Sequence, residues 1–323
     1  MKIWQNKNVV AILLLPFSLL YIVLSFIDIL IKKQKGKKTQ LSQTPKIVVV
    51  GNITAGGTGK TPFIQMLAKH LIKQNKKVGI VTRGYGANPP SEPFLVDKQA
   101  NSKASGDEAL MHAQCLNIPV VIAKKRNLAI DYLKNNYDLD VILSDDGLQH
   151  WQMPRHLNIV LLDGLRGTQN GFYLPAGPLR QSVSFLKKAD YVYCKGEKQH
   201  DSINVKWPSF DIKVIGFFDK NDNKIDINEL IDLTLVSAIA NPDSFYQVVK
   251  KYKTDFKTKE FLDHHEFNLN DFDDVKGKIL MTQKDFVKCS NFKTLDIYYC
   301  KIEALLEDKE LEKVSHSLFS HVD

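Results

Sequence analysis

The sequence predicts an α/β fold in which a doubly wound parallel sheet carries helices on both faces. Apolar segments typical of buried strands recur through the first half of the chain, at 47–50, 77–82, 119–123, 140–145 and 158–163. Helical patterns such as GDEALMHAQCL and RNLAIDYLKNN alternate with them. Because this alternation is typical of βαβ units, ligands are expected where the parallel strands end. With 323 residues, 44% of them hydrophobic, the chain can bury such a core.

The first element is an apolar segment from Val9 to Ile31 that includes one charged residue, Asp28, and one proline, Pro16. It is long enough to cross a bilayer as a helix. A cleaved signal peptide is disfavoured, because the apolar run is too long and no small-residue cleavage site follows it. A helix that spans the membrane and a helix that lies in its interface both remain open.

A basic run follows the apolar segment and supplies part of the net charge of +8: Lys32, Lys33, Lys35, Lys37 and Lys38. Its position favours an anionic phospholipid surface over nucleic acid as a partner. Only Lys2 and Lys7 precede the segment, so the positive-inside rule places the rest of the chain on the cytoplasmic side. The four cysteines are scattered and form no C-x-x-C pair, which fits a reducing compartment.

Residues 46–62, KIVVVGNITAGGTGKTP, predict a site for a nucleoside triphosphate. An apolar strand leads into a glycine-rich loop, which ends in Gly59-Lys60-Thr61 and opens a predicted helix from about Thr61 to Gln74. In such loops backbone N–H groups bind phosphate oxygens, the lysine reaches the β and γ phosphates, and the hydroxyl binds Mg²⁺. The pattern G-x-x-x-x-G-K-[ST] requires a glycine at position 54, and an atypical loop shape is expected. The predicted nucleotide contacts are Thr54, Ala55, Gly56, Gly57, Thr58, Gly59, Lys60 and Thr61.

Asp145 and Asp146 follow the apolar strand VILS and precede Gly147. In an enzyme with a phosphate-binding loop, a carboxylate at this place holds Mg²⁺ directly or through water, beside Thr61. An Asp-Gly turn after a buried strand is the structural alternative. The loop upstream favours the metal site, so Thr61, Asp145 and Asp146 are the predicted metal-binding residues.

Two further motifs contain candidate acids and bases. Asp107 follows Gly106 at the start of a predicted helix, where a carboxylate alone is best explained by the helix dipole. His264 and His265 form the only adjacent histidine pair of the sequence. Neighbouring side chains on a strand would face opposite ways, so a lone active-site histidine is expected there rather than a shared metal ion. Spacing alone does not pair Asp107 with His264.

Several basic residues precede or follow predicted elements and could together bind an anionic acceptor. They are Arg83 in RGYG, Lys124, Lys125 and Arg126 before a helix, and Arg180 in LPAGPLRQ. Solvated surface positions are the alternative explanation for each of them.

The pattern changes at about Ser209, and four units are therefore predicted. They are a membrane-associated helix at 1–31, a basic linker at 32–45, a core with the phosphate-binding loop at 46–208 and a smaller α/β lobe at 209–323. A continuation of one sheet is the alternative to a separate lobe. The last segment, IEALLEDKELEKVSHSLF, is predicted to be a helix.

Taken in order, the motifs resemble those of the tetraacyldisaccharide 4′-kinases, the lipid A 4′-kinases of Gram-negative envelope synthesis. The resemblance extends from Lys46 to Lys288 and rests on GNITAGGTGKTP, TRGYG, SGDEALM, SDDGLQH, NGFYLPAGPLR, IANPDSF, FLDHHEF and TQKDFVK. SDDGLQH and LPAGPLR behind a TAGGTGKTP loop are its specific part. Gln181 stands where an acid often follows the arginine in this family.

The resemblance implies a P-loop kinase with an N-terminal membrane helix at the cytoplasmic face of the inner membrane. Such a kinase transfers the γ-phosphate of ATP, with Mg²⁺, to the 4′-hydroxyl of a tetraacylated glucosamine disaccharide 1-phosphate and yields lipid IVA. It implies that Asp107 and His264 form a catalytic dyad, assisted by Lys60 and Asp146. The implied acceptor-binding residues are Arg83, Arg126, Asn170 and Arg180. Neither nucleic acid nor an obligate protein partner is expected.

The alternative function is that of a membrane-associated P-loop switch ATPase of the partitioning or targeting type, whose loop also reads GGxGKT. Those loops carry a lysine just before the paired glycines, and Ala55 occupies that place here. Dependence of ATP turnover on an acylated disaccharide distinguishes the two functions.

Overall fold

The computed structural model of the protein describes residues 2–35 and 44–320, and the side chains among these from Ile3 to Ile31 and from residue 44 onward. Residues 36–43 of the predicted linker, with Lys37 and Lys38 of the lysine run, lie outside this described part, whereas the backbone of Lys32, Lys33 and Lys35 is described and is helical. Two helices form the N-terminal segment, α1 (Val9–Leu13) and α2 (Leu15–Lys35). One helix was predicted, but the helix is interrupted at Leu14. Pro16 lies in the first turn of α2, where the N–H that proline lacks would have no partner within the helix.

The N-terminal helices are attached to the body through hydrogen bonds to the segment 173–180. The Ser18 hydroxyl donates to the carbonyl of Tyr173 at 2.7 Å and accepts from the N–H of Ala176 at 3.1 Å. The Tyr21 hydroxyl donates to the carbonyl of Arg180 at 3.2 Å. Among the helices that can be described, none has both the length and the apolar character needed to cross a membrane.

The core that follows consists of alternating strands and helices, as predicted. Its strands are β1 (Lys46–Gly51), β2 (Val78–Thr82), β3 (Phe94–Leu95), β4 (Val120–Ile122), β5 (Val141–Asp145), β6 (Leu157–Asp163) and β7 (Tyr191–Lys195). Its helices are α3 (Lys60–Lys73), α4 (Ser102–Ser105), α5 (Asp107–Cys115) and α6 (Arg126–Asn136). The strands β7-β6-β1-β5-β2-β4 are parallel neighbours, and β3 pairs antiparallel with β4 at the edge.

Successive side chains of β1 belong alternately to two apolar clusters, one on each face of the sheet, which confirms the mixed α/β class. Val48 and Val50 belong to one apolar cluster, which includes Phe63 of α3, whereas Ile47 and Val49 belong to another, which includes Ala129 of α6. A strand buried on both faces is typical of a parallel sheet that helices cover on both sides.

The remaining elements extend the same sheet. They are β8 (Ser209–Phe218), β9 (Lys224–Ile225), β10 (Thr234–Ser237), α7 (Pro242–Lys250), β11 (Lys257–Glu260), β12 (Ile279–Thr282), α8 (Gln283–Cys289), β13 (Ile297–Leu305) and α9 (Asp308–Phe319). Strand β8 joins the two parts, because its first residues pair with β7 and the rest of it pairs antiparallel with β13. In the described residues the order is β11-β10-β12-β13-β8-β7-β6-β1-β5-β2-β4-β3. The division into units at 208 and 209 stays a prediction.

The predicted start of the last helix was wrong. Residues up to Leu305 belong to β13, and α9 begins at Asp308. Ile302 and Ala304 pair with Val214 and Ile212 of β8, and this long-range pairing outweighs the helical propensity of the sequence EALLE.

Candidate active site

The glycine-rich loop connects β1 to α3, as predicted, and its conformation depends on two glycines. Gly56 and Gly59 have φ of 106° and 80°, a region that glycine enters without steric cost. At Gly59 a β-carbon would lie 2.9 Å from the Cδ1 of Ile212, so there is no room for a side chain either. The side-chain amide of Asn52 donates to the carbonyl of Gly56 at 3.2 Å and braces the loop from inside.

Two of the predicted nucleotide contacts serve the protein instead. Thr54, which replaces the first glycine of the pattern, is buried and forms a bridge with Leu179. The N–H of Ala55 donates to the carbonyl of Pro178 at 2.7 Å and is not available to a phosphate. The early half of the loop is therefore tied to the segment before Arg180, which explains the atypical pattern. The contact of Ala55 with nucleotide stays a prediction. Gly56 and Gly57 remain exposed at the tip.

Asp163, Arg166 and Lys195 brace the outside of the loop. Arg166 and Lys195 both donate to the carbonyl of Gly57 and both contact the carboxylate of Asp163, at 3.1 and 2.7 Å. Burial alone would raise the pKa of Asp163, but the two cations outweigh it and hold that pKa below its ordinary value. Sequence analysis did not single out this arrangement: Asp163 and Arg166 are three residues apart, but Lys195 belongs to the next strand, β7.

Asp146 lies at the end of β5 beside the first residue of α3. Its carboxylate is 3.9 Å from the Nζ of Lys60 and 3.0 Å from the Nη1 of Arg180, whose guanidinium also contacts Asn52 and Gln149. Burial would raise the pKa of Asp146, but Lys60 and Arg180 hold it below its usual range. An ionised carboxylate beside the loop lysine is the arrangement that a metal-binding aspartate requires.

Asp145 occupies a different environment from Asp146, although the sequence assigned both the same role. Its side chain is buried, and its Oδ2 is 3.2 Å from the Nε2 of His112 on α5. Its Oδ1 is buried without a hydrogen-bond partner in the described part of the chain. The guanidinium of Arg126 donates to the carbonyl of Asp145 at 3.1 Å from behind.

Asp107 and His264 are brought together, although 157 residues separate them: the Nδ1 of His264 is 3.3 Å from the Oδ2 of Asp107. His264 has a φ of 64°, and its backbone N–H donates to the carbonyl of Ala238 at 3.1 Å. The ammonium of Lys284 lies 3.4 Å from the Nε2 of His264. Since an ammonium can only donate, Nε2 accepts from it and the proton of a neutral His264 lies on Nδ1, directed at Asp107.

Glu108 and Lys284 connect this pair to the phosphate-binding loop. The Nζ of Lys284 is 4.0 Å from the Oε1 of Glu108, and it also contacts His264. Burial and the nearby charge of Asp145 raise the pKa of Glu108, while Lys284 and Lys60 counteract them. Glu108 thus lies in the electrostatic field of both lysines, one in the loop and one beside His264. No role was predicted from the sequence for Glu108 or Lys284.

The four predicted acceptor-binding residues have different environments. Arg83 is exposed, and Arg180 contacts Asp146. Arg126 is 2% exposed, its guanidinium donates to the carbonyls of Ala123 and Asp145, and burial lowers its pKa to about 10. Asn170 is also buried, with its amide bonded to Ala176 and Phe172. Arg126 and Asn170 are thus held by intramolecular hydrogen bonds, whereas Arg83 is exposed; the role of all four in binding the acceptor stays a prediction.

The two adjacent histidines contact separate carboxylates. His265 lies 2.9 Å from the Oδ2 of Asp271, whereas His264 faces Asp107. They occupy a turn after β11 rather than a strand, so the expected reason for their divergence was wrong. Within the described ranges, 2–35 and 44–320, no cluster of three or more histidine, cysteine or acidic side chains could hold a metal ion.

A magnesium ion needs only one or two protein ligands, because water molecules and substrate phosphates complete its coordination. Thr61 in the first turn of α3 and Asp146 supply oxygen donors of the right kind. The buried Oδ1 of Asp145, which has no partner in the described chain, is a further acceptor at the end of the same strand. The residues present therefore fit a magnesium ion bound together with nucleotide phosphates.

Comparison with known proteins identifies one family. The sequence matches the family described as LpxK, tetraacyldisaccharide-1-P 4′-kinase, over residues 10–319. A tetraacyldisaccharide 4′-kinase of Legionella pneumophila (strain Corby) is 37% identical over 310 residues, covering 95% of this chain and 93% of the relative. The enzyme of that name from Haemophilus influenzae (strain 86-028NP) is 33% identical over 323 residues, covering 98% and 96%.

A solved structure supports the fold. LpxK from Aquifex aeolicus, whose "apo" form is described in complex with ATP, superposes with a TM-score of 0.76 at 23% sequence identity. The similarity covers 96% of this chain and 99% of that protein. The large, mostly parallel sheet is therefore shared along nearly the whole length of both chains.

Proposed function

The chain belongs to the tetraacyldisaccharide-1-P 4′-kinase family, and we propose that it transfers the γ-phosphate of ATP to the 4′-hydroxyl of a tetraacylated glucosamine disaccharide 1-phosphate. The product would be lipid IVA, an intermediate of lipid A synthesis. The observation that carries the proposal is that α5 links the Asp107–His264 pair to the phosphate-binding loop. Asp107 at the start of α5 contacts His264, and His112 of the same helix contacts Asp145, the neighbour of the aspartate beside Lys60. A kinase needs both, because the acceptor hydroxyl must lose a proton as it attacks the phosphate.

Each group has a role in this reaction. The N–H groups around Gly56 to Gly59 and the ammonium of Lys60 would bind the β and γ phosphates and stabilise the charge that develops on them. Thr61 and Asp146 would hold Mg²⁺, and Asp145 would offer a further oxygen at the end of the same strand. The bound ion would neutralise phosphate charge. Asp107 and His264 would orient the acceptor hydroxyl and take its proton. Arg180 and Arg83 would bind anionic groups of the acceptor.

The proposal is tested by incubating the purified full chain with radiolabelled ATP, Mg²⁺ and the tetraacylated disaccharide 1-phosphate. We expect label in the lipid product with the wild type, and none with a folded Lys60→Ala variant. Release of free phosphate that does not depend on the acceptor would contradict kinase activity and favour the switch-ATPase alternative.

We further propose that α1 and α2 lie on the cytoplasmic face of the inner membrane and bring the site to its lipid substrate. Apolar side chains from both helices are exposed, and they include Val9 (71%), Leu13 (69%), Leu19 (64%), Phe17 (60%) and Phe26 (59%). A helix of this kind gains free energy by burying its apolar face at the boundary between head groups and acyl chains. The lysine run that follows would add attraction to anionic lipid.

Vesicle flotation tests this attachment. Wild-type protein should float with vesicles that contain anionic phospholipid, and the double variant Leu20→Asp/Leu24→Asp should remain largely in the soluble fraction. Val205, which is 74% exposed and remote in sequence from α1 and α2, offers the control Val205→Asp. Equal flotation of both variants and the wild type would refute the proposed contact.

A further inference from the structure

Helix α8 presents a buried cation to the catalytic pair. The side chain of Lys288 is 3% exposed, and its Nζ lies 3.0 Å from the Oδ1 of Asp285 and 3.6 Å from the Oδ2 of Asp107. The same ammonium donates to the carbonyl of His265 at 3.3 Å and lies 5.3 Å from the ring centre of Phe267. A lysine ammonium is expensive to bury, so its retention next to a proposed base calls for an explanation.

We propose that Lys288 is a positioning residue for phosphoryl transfer: its ammonium pairs with the Asp107 carboxylate and fixes the rotation of that carboxylate against His264. This inference rests on the proposed kinase function and adds to it a residue that the reaction scheme above does not contain. Lys288 acts through Asp107 and is not required to touch either substrate.

The geometry supports orientation as well as charge. The Nδ1 of His264 and the Nζ of Lys288 both approach the Oδ2 of Asp107, so one oxygen of the carboxylate is held from two directions. Asp107 is the first residue of α5, whereas His264 follows β11 and Lys288 lies in α8. Lys288 thus connects the core helix that carries the base to the C-terminal part of the chain that carries the imidazole.

Asp285 holds Lys288 in place and is itself held by two other hydrogen bonds. The Oδ2 of Asp285 accepts from the N–H of Ala238 at 3.1 Å and from the hydroxyl of Thr282 at 2.9 Å. The other oxygen, Oδ1, takes Lys288. The carbonyl of Ala238 accepts from the backbone N–H of His264. One short hydrogen-bond network therefore fixes the positions of His264, Asp285 and Lys288 relative to one another.

Several charged groups around the Asp107–His264 pair influence how its activity depends on pH. The Asp107 carboxylate faces His264 and Lys288, and the buried Cys289 thiol of α8 is close enough to feel its charge. The imidazole of His264 also faces Asp263 at 3.8 Å and Lys284 at 3.4 Å. Lys288 is the most deeply buried of the surrounding cations, so its removal should have the largest effect on the protonation of Asp107.

The test compares three variants in the full-length protein, with label transfer to the disaccharide lipid as the assay. Lys288→Met should lower kcat by roughly tenfold or more, with little change in KM for ATP. The acid limb of its rate–pH profile should move to higher pH, because no ammonium then opposes protonation of the carboxylate. Lys288→Arg keeps the charge and should recover much of the rate and the original acid limb.

The double variant Asp285→Asn/Lys288→Met separates positioning from a merely structural role, and it remains testable if Lys288→Met fails to fold. It leaves no unpaired charge at Asp285, so its thermal stability should approach that of the wild type, while the slow rate and the displaced acid limb should persist. Recovery of the wild-type rate and pH profile would overturn the inference, because Lys288 would then serve only to neutralise Asp285.

Lys313→Met is the matched control, since Lys313 also pairs three residues back along its helix, with Glu310 at 2.6 Å on α9. This variant should keep the wild-type rate and profile. If the wild type transfers no label to the lipid, the proposed function itself fails. If the wild type is active and Lys288→Met matches it, only the role of Lys288 is refuted.

Discussion

The phosphate-binding loop and the Asp107–His264 pair both lie near Glu108, but they are assembled from the chain in opposite ways. The loop is a local structure, in which Asn52 braces Gly56 four residues away and Lys60 opens the next helix. The pair joins residues that are 157 positions apart, one on α5 and one in the turn after β11. The loop pattern therefore lies within one segment, although Pro178, Arg166 and Lys195 brace it in the folded protein. The pair, by contrast, exists only once the C-terminal elements have packed on the core.

This difference predicts how each region responds to substitution. Changes in the loop should remove an interaction with nucleotide and leave the rest of the molecule in place. Changes in the pair should be coupled to one another, and also to the elements that hold them, because His264 depends on Ala238 and Asp107 on its neighbours in α8.

The largest effect is expected for Lys60→Ala. The ammonium contacts Asp146 at 3.9 Å and lies outside the core clusters, so its loss should reduce phosphoryl transfer by roughly a thousandfold without unfolding the protein. The measurement is label transfer to the lipid, with circular dichroism as the control for folding. Transfer at the wild-type rate would show that the loop is not the phosphate site.

The pair should show the next largest effect and the clearest coupling. Asp107→Ala and His264→Ala should each lower kcat by roughly a hundredfold, and the double variant should be little slower than the slower single one. Two residues that serve one proton transfer act as a unit, so their losses do not add. Losses that multiply in the double variant would mean that Asp107 and His264 perform separate tasks.

A smaller difference is expected between the two aspartates at the end of β5. Asp146→Asn should lower activity at limiting Mg²⁺ by about tenfold or more, and higher Mg²⁺ should restore part of it, because the variant loses a charge beside Lys60. ATP binding should change much less. Asp145→Asn should show a weaker dependence on Mg²⁺ than Asp146→Asn, since the carboxylate of Asp145 is buried against His112. The reverse order would make Asp145 the principal metal ligand.

The contrast between the two regions also explains what could be predicted from the sequence. The strand, the glycine-rich loop and the helix after it lie within one short segment, so their pattern alone indicated them. Asp107 and His264 were paired only through the resemblance to a family, because spacing does not encode a contact across 157 residues. Arg126 had the same sequence character as Arg83, and only the packing of α6 against β2 and β4 distinguishes a buried guanidinium from an exposed one.

The break in the N-terminal helix and the extent of β13 escaped prediction for a related reason. Leu14 and Pro16 are compatible either with a bend in one helix or with the start of a second helix. The hydrogen bonds of Ser18 to the segment at 173–176 cannot be inferred from the local sequence. Residues 302–305 have good helical propensity, but their partners in β8 lie about ninety positions earlier. Tertiary pairing decided both cases.

The smallest expected effect concerns Glu108, which lies between the two regions and tests whether they share one electrostatic field. Partial burial and the charge of Asp145 raise its pKa above the ordinary value, and solvent weakens the effect because 36% of the side chain is exposed. Below about pH 4.5 the carboxyl is protonated in both the folded and the unfolded chain, so burying it costs little. As the pH rises, the unfolded chain ionises first, and the folded state loses stability until the pH has passed the raised pKa.

Replacing Glu108 with Gln removes this loss. Without nucleotide, Glu108→Gln should melt at a slightly higher temperature than the wild type at pH 7.5, by about 1–3 °C, and the difference should vanish near pH 4. Thermal unfolding of both proteins across that pH range is the measurement. A variant that is less stable at pH 7.5 would show that the attraction of Lys60 and Lys284 outweighs the burial of this carboxylate and the repulsion from Asp145. Glu108 would then stabilise the junction between the loop and the catalytic pair, and the two regions would depend on each other for stability as well as for catalysis.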